Sequence, residues 1–173
     1  MKSSILAFFA FGSACFAGSA SEVITRVDVS RQKMVITDGD KTLAKFPVST
    51  SKFGLGDRPG SYQTPLGRFM VIKKIGSNQP SGTVFKGGRP TGEIIRPNAP
   101  GRDPIVTRVF SLCGLDTSNS RAQSRGILIH GTPEESKIGH PASYGCIRLR
   151  SKDVIRASEI IPTGSLVIIS AKG

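Results

Sequence analysis

Apolar and polar positions alternate over residues 23–29, the alternation resumes over 34–37, and a third run spans 42–48, with Asp38-Gly39-Asp40 separating the last two. A period of two puts one face of each run in a core and the other in water, and Asp-Gly is hairpin-turn chemistry. The segment therefore reads as a meander of antiparallel strands. A Gly- and Ser-rich connection over 49–61 leads to Thr64-Pro65-Leu66-Gly67, a tight turn launching a strand over 68–73. Residues 76–104 hold Pro80, Pro90, Pro97, Pro100 and Pro104 among many glycines, around the short apolar pair Ile94-Ile95, and read as one long functional or mobile loop. Residues 105–112 and 127–129 are apolar strands, the second ending at His130. Ser151 reads as an N-cap with Asp153 in the first turn, and Val154, Ile155 and Ile160 suggest a short helix stopped by Pro162 and Gly164. Residues 166–169 supply a last buried strand. The expected fold is mainly β, a sandwich or barrel-like domain with one or two short helices.

The N-terminus changes where this domain resides. Lys2, an apolar run over 5–16 and the small residues Gly18, Ser19 and Ala20 have the three-part layout of a secretory signal, so residues 1–20 are assigned to it and 21–173 to a single domain. The apolar run is too short for a membrane span, and no later stretch is apolar enough. The expected product is exported to the periplasm or cell envelope, soluble or only loosely attached. Cys15, behind Gly12, Ser13 and Ala14, has the small residues of a lipidation site but lacks the large aliphatic residue three places earlier.

Loss of the signal leaves Cys113 and Cys146 as the only thiols. An even pair in an exported protein suggests a disulfide, but the surroundings of Cys146 suggest reactivity, with Cys113 packed as a small hydrophobe. The 24 Lys and Arg residues against 12 Asp and Glu give a net charge of +12, which invites a nucleic-acid reading. Export argues against it, as do basic residues that are scattered rather than striped and the lack of any paired Phe or Tyr platform along a strand. Cell-wall polymers, stem-peptide carboxylates and lipid head groups are the polyanions outside the cytoplasm. Lys86, Arg89, Arg96 and Arg102 would turn a positive face toward them, unless they serve only solubility.

The chemistry is concentrated near the C-terminus. His130 and His140 are the only histidines, and both lie within sixteen residues of Cys146. A cysteine nucleophile needs a base to take its proton, and His130 can supply one if the chain turns back. Gly145 removes a side chain where backbone must approach a substrate carbonyl, so the N–H groups of Cys146 and of Gly145 or Tyr144 could form an oxyanion hole. The carbonyl of Gly131 could accept the other imidazole proton and fix the tautomer. Asp153 or Glu134 could be a third member, although their spacing does not single them out. His140 reads as a loop or substrate-rim residue. A zinc site from His130, His140 and Cys146 fits no compact zinc module.

His130-Gly131 followed by Ser143-Tyr144-Gly145-Cys146-Ile147-Arg148 resembles the catalytic motif of the YkuD-type L,D-transpeptidases, in which His-Gly leads to Ser/Thr-His-Gly-Cys, an apolar residue and Arg or Asn. Thr64-Pro65-Leu66-Gly67-Arg68-Phe69 is similar to the family's TP-x-G-x-F element, so the resemblance covers most of residues 23–170. The usual His beside the cysteine is Tyr144 here, which can donate a hydrogen bond but cannot act as a base near neutral pH. The resemblance implies peptidoglycan stem peptides as substrates and no metal or organic cofactor. Cys146 would attack the amide before a terminal D-Ala, D-Ala would leave, and an amine of a second stem, an amine of a wall-anchored protein, or water would resolve the thioester. Arg148 would orient the site or bind a carboxylate through its fork, and Ser143 would add a hydroxyl. The alternatives are an L,D-carboxypeptidase at the same site and a catalytically silent wall-binding domain. Alkylation of Cys146 at neutral pH is expected of the enzyme and not of the silent domain.

Overall fold

The computed structural model describes residues 22–172, so the expected signal segment and Cys15 lie outside the described residues. The strands and the helix among them are β1 (Val23–Asp28), β2 (Lys33–Asp38), β3 (Lys41–Pro47), β4 (Gly67–Ile75), β5 (Thr83–Lys86), β6 (Arg89–Ile94), β7 (Val106–Gly114), β8 (Leu128–Gly131), β9 (Ile147–Leu149), α1 (Ser151–Ile160) and β10 (Leu166–Ser170). Short 3-10 turns at Thr117–Asn119 and Glu135–Lys137 complete a mainly β fold. No helix among the described residues is long and apolar enough to cross a membrane.

The alternation over 23–48 yields the expected meander. Val27 pairs with Met34 and Met34 with Phe46, all three buried, while Arg26, Lys33 and Lys45 face water. Each such apolar side chain contributes about 1.5–3 kcal/mol on burial, so a one-residue slip, which would turn all of them outward, is strongly disfavoured. β10 then lies parallel to β1, from Ile24 opposite Leu166 to Asp28 opposite Ser170, and the sheet continues through β4 to β7. β7 is the branch point, pairing with β4, β5 and β8. α1 packs on β7 and β8, burying Val154 and Ala157.

Two local expectations are corrected. Residues 76–104 are not one loop, because β5 and β6 form a hairpin closed by Gly87 and Gly88 at φ 59° and 76°. Two consecutive positive φ values define a primed two-residue turn, which glycine adopts freely. Pro90 is tolerated because β6 is an exposed edge strand, where a missing N–H costs no ladder bond. Ser151 is not the N-cap either. Arg150 occupies that position with extended backbone, and Ser151 begins the helix with its N–H donated to Glu135 Oε1 at 2.7 Å. At the other end of α1 the Lys74 ammonium donates to the carbonyls of Ser158 and Ile161, tying the helix terminus to β4.

Candidate active site

His130 lies on β8 between two neighbours, opposite Val109 of β7 and beside Arg148 of β9, which runs parallel to β8. The β7 ladder shifts register between Val106 and Val109, and Thr107 in that bulge sits at φ 72°, a strained value for a β-branched residue. The surroundings hold it there: Thr107 Oγ1 accepts the Gly82 N–H at 2.9 Å and lies 2.8 Å from Ser151 Oγ. Gly131 permits this close packing, since a Cβ there would stand 2.6 Å from the Val106 carbonyl oxygen. His130 Nδ1 is 2.8 Å from the Gly131 carbonyl oxygen. A carbonyl can only accept, so Nδ1 is the protonated nitrogen and Nε2 keeps its lone pair. Burial holds the His130 pKa below the ordinary imidazole value, although the Gly131 bond and the Asp103 carboxylate oppose the shift. The ring is thus a neutral base through the neutral range.

Cys146 lies at the end of a loop pinned by residues 48–52. Val48 accepts the Gly139 N–H, Thr50 accepts those of Ala142 and Ser143, and Ser49 exchanges backbone bonds with Arg148. Gly145 is at φ 118°, and a Cβ there would stand 3.2 Å from both the Gln63 carbonyl oxygen and Ile127 Cδ1, so this position needs glycine. The Thr64 hydroxyl donates to the Gly145 carbonyl at 2.9 Å. Because the peptide is planar and trans, fixing that oxygen aims the Cys146 N–H in the opposite direction. The N–H groups of Cys146 and Tyr144 have no intramolecular partner among the described residues. Gly145 is different: its N–H donates to Ser143 Oγ at 3.2 Å, and that hydroxyl donates to the Cys146 carbonyl at 2.6 Å. Oxyanion donors are therefore available from Cys146 and Tyr144 and not from Gly145. Ser143 is buried with its hydroxyl engaged inside the loop.

Cys113 and Cys146 are both free thiols. Cys146 Sγ lies 3.4 Å from the Gly126 carbonyl oxygen, and no hydrogen bond joins it to His130 among the described residues. The sulfur retains some exposed area, yet the density of protein around it pushes its pKa up to about 11, with backbone hydrogen bonding, Arg148 and Arg125 pulling the other way. Enclosure outweighs those attractions because a thiolate in a poorly hydrated setting loses more than distant cations return. These directions favour a neutral thiol and a neutral imidazole at rest, so alkylation of Cys146 should be slow at neutral pH and quicken as the thiolate forms. Only the thiolate reacts, so the rate of Cys146 alkylation by iodoacetamide should rise about tenfold per pH unit from pH 7 to 10, read by peptide mass spectrometry. A plateau near neutral pH would instead indicate a preformed thiolate–imidazolium pair.

Arg148 is 2% exposed, with Nη1 paired to Asp103 and, at 3.0 Å, to Glu134 Oε2, while Nη2 reaches Ser49 Oγ. Its guanidinium is turned into the protein, and its partners are not on the following helix. Asp103 also accepts the Thr132 hydroxyl, just beyond His130-Gly131, so one carboxylate joins the ends of β8 and β9 to the segment before β7. Glu134, a possible third member by sequence, meets Arg148 rather than His130. His140 is exposed on its loop. Asp103 and Thr64 are the residues sequence reasoning passed over: the first lay in a Pro-rich stretch without a pattern, the second in a turn read as purely structural. Three aromatic side chains outside the strands also come together near the nucleophile loop. Phe53, Tyr62 and Tyr144 come from separate segments and meet with ring centroids 5.4–5.8 Å apart.

Known proteins share this arrangement of elements. The YkuD protein of Bacillus licheniformis is 45% identical over 81 residues, 47% of this chain and 44% of that protein. Its Bacillus subtilis counterpart is 48% identical over 42 residues, 24% of this chain and 26% of the relative. Among solved structures, an L,D-transpeptidase from Mycobacterium tuberculosis superposes with a TM-score of 0.57 at 17% identity, over 87% of this chain and 58% of that one. L,D-transpeptidase 3 of the same organism, in complex with a faropenem-derived adduct, gives 0.57 at 18% identity, over 87% and 60%. The chain spans less than two thirds of the length of each, and the structural likeness speaks to fold alone. The family model for the L,D-transpeptidase catalytic domain, YkuD, matches residues 22–169. With nearly all of its described residues inside that match, the chain belongs to the YkuD family of L,D-transpeptidase catalytic domains.

Proposed function

We propose that this protein is exported and acts as a cysteine-dependent L,D-transpeptidase on peptidoglycan stem peptides. The observation that supports it most is the His130 Nδ1 contact to the Gly131 carbonyl, which leaves Nε2 as a base on the strand beside β9, whose first residue follows Cys146. In this reading the Cys146 proton passes to His130 Nε2 as sulfur attacks the carbonyl before the terminal D-Ala. The developing oxyanion is received by the Cys146 N–H, with the Tyr144 N–H as second donor. The C–N bond breaks, the imidazolium returns its proton to the departing D-Ala amine, and a thioester remains. An amine of a second stem or of a wall-anchored protein then attacks that carbonyl, loses its proton to His130, and releases the thiol.

A raised thiol pKa suits this sequence. Proton transfer coupled to attack keeps a bare thiolate from forming until substrate fills the site. Gly131, Ser143, Gly145 and Arg148 act as positioning residues: Gly131 sets the tautomer, Ser143 and Gly145 shape the loop, and Arg148 braces β9 against Asp103 and Glu134. Incubating residues 21–173 with purified disaccharide-tetrapeptide and following products by liquid chromatography with mass spectrometry tests the proposal. Free D-Ala with a cross-linked dimer is the expected result. Tripeptide without dimer would make the enzyme an L,D-carboxypeptidase, and unchanged substrate would leave a silent wall-binding domain.

A further inference from the structure

The geometry points to Lys52, held on the Tyr144 ring, as the recognition site for the terminal carboxylate of the D-amino acid that departs in the proposed reaction. This rests on the transpeptidase reading and adds to it a specificity residue. Lys52 is fixed to the nucleophile loop by its own backbone, whose N–H donates to the Ser143 carbonyl at 3.2 Å. Its ammonium donates to the Tyr144 hydroxyl at 3.1 Å and sits 4.5 Å from that ring's centroid and 5.2 Å from that of Phe53. Cation–π contact of this kind orients an ammonium without neutralising it. No acid pairs with Lys52 among the described residues, whereas the other cations near Cys146 are committed: Arg148 to Asp103 and Glu134, Arg125 to Asp57. Phe53, Tyr62 and Tyr144 are 44%, 55% and 59% exposed, an apolar wall around an unpaired positive charge that rests on Tyr144, two residues before the nucleophile. The matching ligand bears a carboxylate and a small apolar group close to the scissile bond. In a stem ending in D-Ala, the terminal carboxylate is one carbon from the scissile nitrogen, with the alanine methyl on that carbon. Arg148 was the expected carboxylate binder; its burial leaves Lys52 as the cation free to do this.

The test compares binding of disaccharide-tetrapeptide with that of its terminal D-alaninamide, by calorimetry on the Cys146→Ala protein, with and without Lys52→Met. The amide keeps shape and removes only the charge. The acid should bind tenfold or more tightly than the amide, the size expected of a charge-assisted hydrogen bond. Lys52→Met should bring the two affinities together, and Lys52→Arg should keep most of the gap. Equal affinity for acid and amide, a gap that survives Lys52→Met, or binding of neither ligand would overturn the assignment. Failure of the wild-type protein to release D-Ala would count against the reaction alone, because the binding comparison does not depend on turnover.

Discussion

Replacing His130 by alanine should lower the rate of D-Ala release about a thousandfold, within the 10²–10⁴ that a positioned general base contributes. With the thiol pKa raised to about 11, the thiolate fraction at neutral pH is about 10⁻⁴, so almost every turnover depends on proton transfer to the imidazole. The buried ring cannot be replaced by solvent water at the same position. His130→Asn is the sharper variant, because it retains size and a donor toward Gly131 but offers no base; the same loss is expected. The imidazole pKa is lowered by burial, so activity of the unmodified enzyme should stay level as pH falls through the ordinary histidine range and decline only below it. In the His130 variants the residual rate should instead rise with pH, following the thiolate. Initial rates across pH 5–10 distinguish these profiles.

Arg148→Met should be the most destabilising single change at the site, by about 2–4 kcal/mol, equivalent to a fall of roughly 5–15 °C in the thermal midpoint. Arg148 leads the fully buried side chains in size, and its loss leaves Asp103 without its ion pair and Glu134 with Lys137 as its remaining counter-charge among the described residues. Their side chains remain 22% and 25% exposed, so water relieves part of the cost, which is why the figure lies below that of a fully buried broken pair. The effect carries a pH signature. Burial pushes the Glu134 carboxyl up, but its bonds and ion pairs with Lys137 and Arg148 prevail and hold it below the ordinary glutamate value. A depressed carboxylate stabilises the fold fully above its unfolded pKa and loses that contribution as pH falls through the folded value. The difference in midpoint between wild type and Arg148→Met should therefore be greatest near neutrality and narrow on acidification below the carboxylate range. Differential scanning calorimetry at pH 7 and pH 3.5 checks this. Equal differences at both values would attribute the loss to packing alone.

The parts of the molecule legible in the sequence are those governed by neighbours in the chain. Alternation over 23–48 specified β1–β3 because the period of two is local, and His130-Gly131 and Gly145-Cys146 stood out because their chemistry is arranged within a few residues. The β5–β6 hairpin was obscured by five prolines, although Gly87-Gly88 between short extended runs was a usable signal. What could not be read depends on contacts across the fold. Asp103 meets Arg148 over 45 residues, Thr64 meets Gly145 over 81, and Lys52 meets Tyr144 over 92. No periodicity encodes such pairs, and a thiol's pKa depends on the density of protein around it rather than on the sequence beside it. The parallel pairing of β8 with β9, which brings Arg148 beside His130, belongs to the same class.

The central claim is that acyl transfer proceeds through Cys146. Brief incubation of the protein with disaccharide-tetrapeptide, acid quenching and peptide mapping by mass spectrometry tests it directly. A disaccharide-tripeptidyl thioester on the peptide containing Cys146, absent from Cys146→Ala and equal in amount to the first D-Ala released, is the predicted result. An acyl group on Cys113, or D-Ala release undiminished in Cys146→Ala, would contradict it.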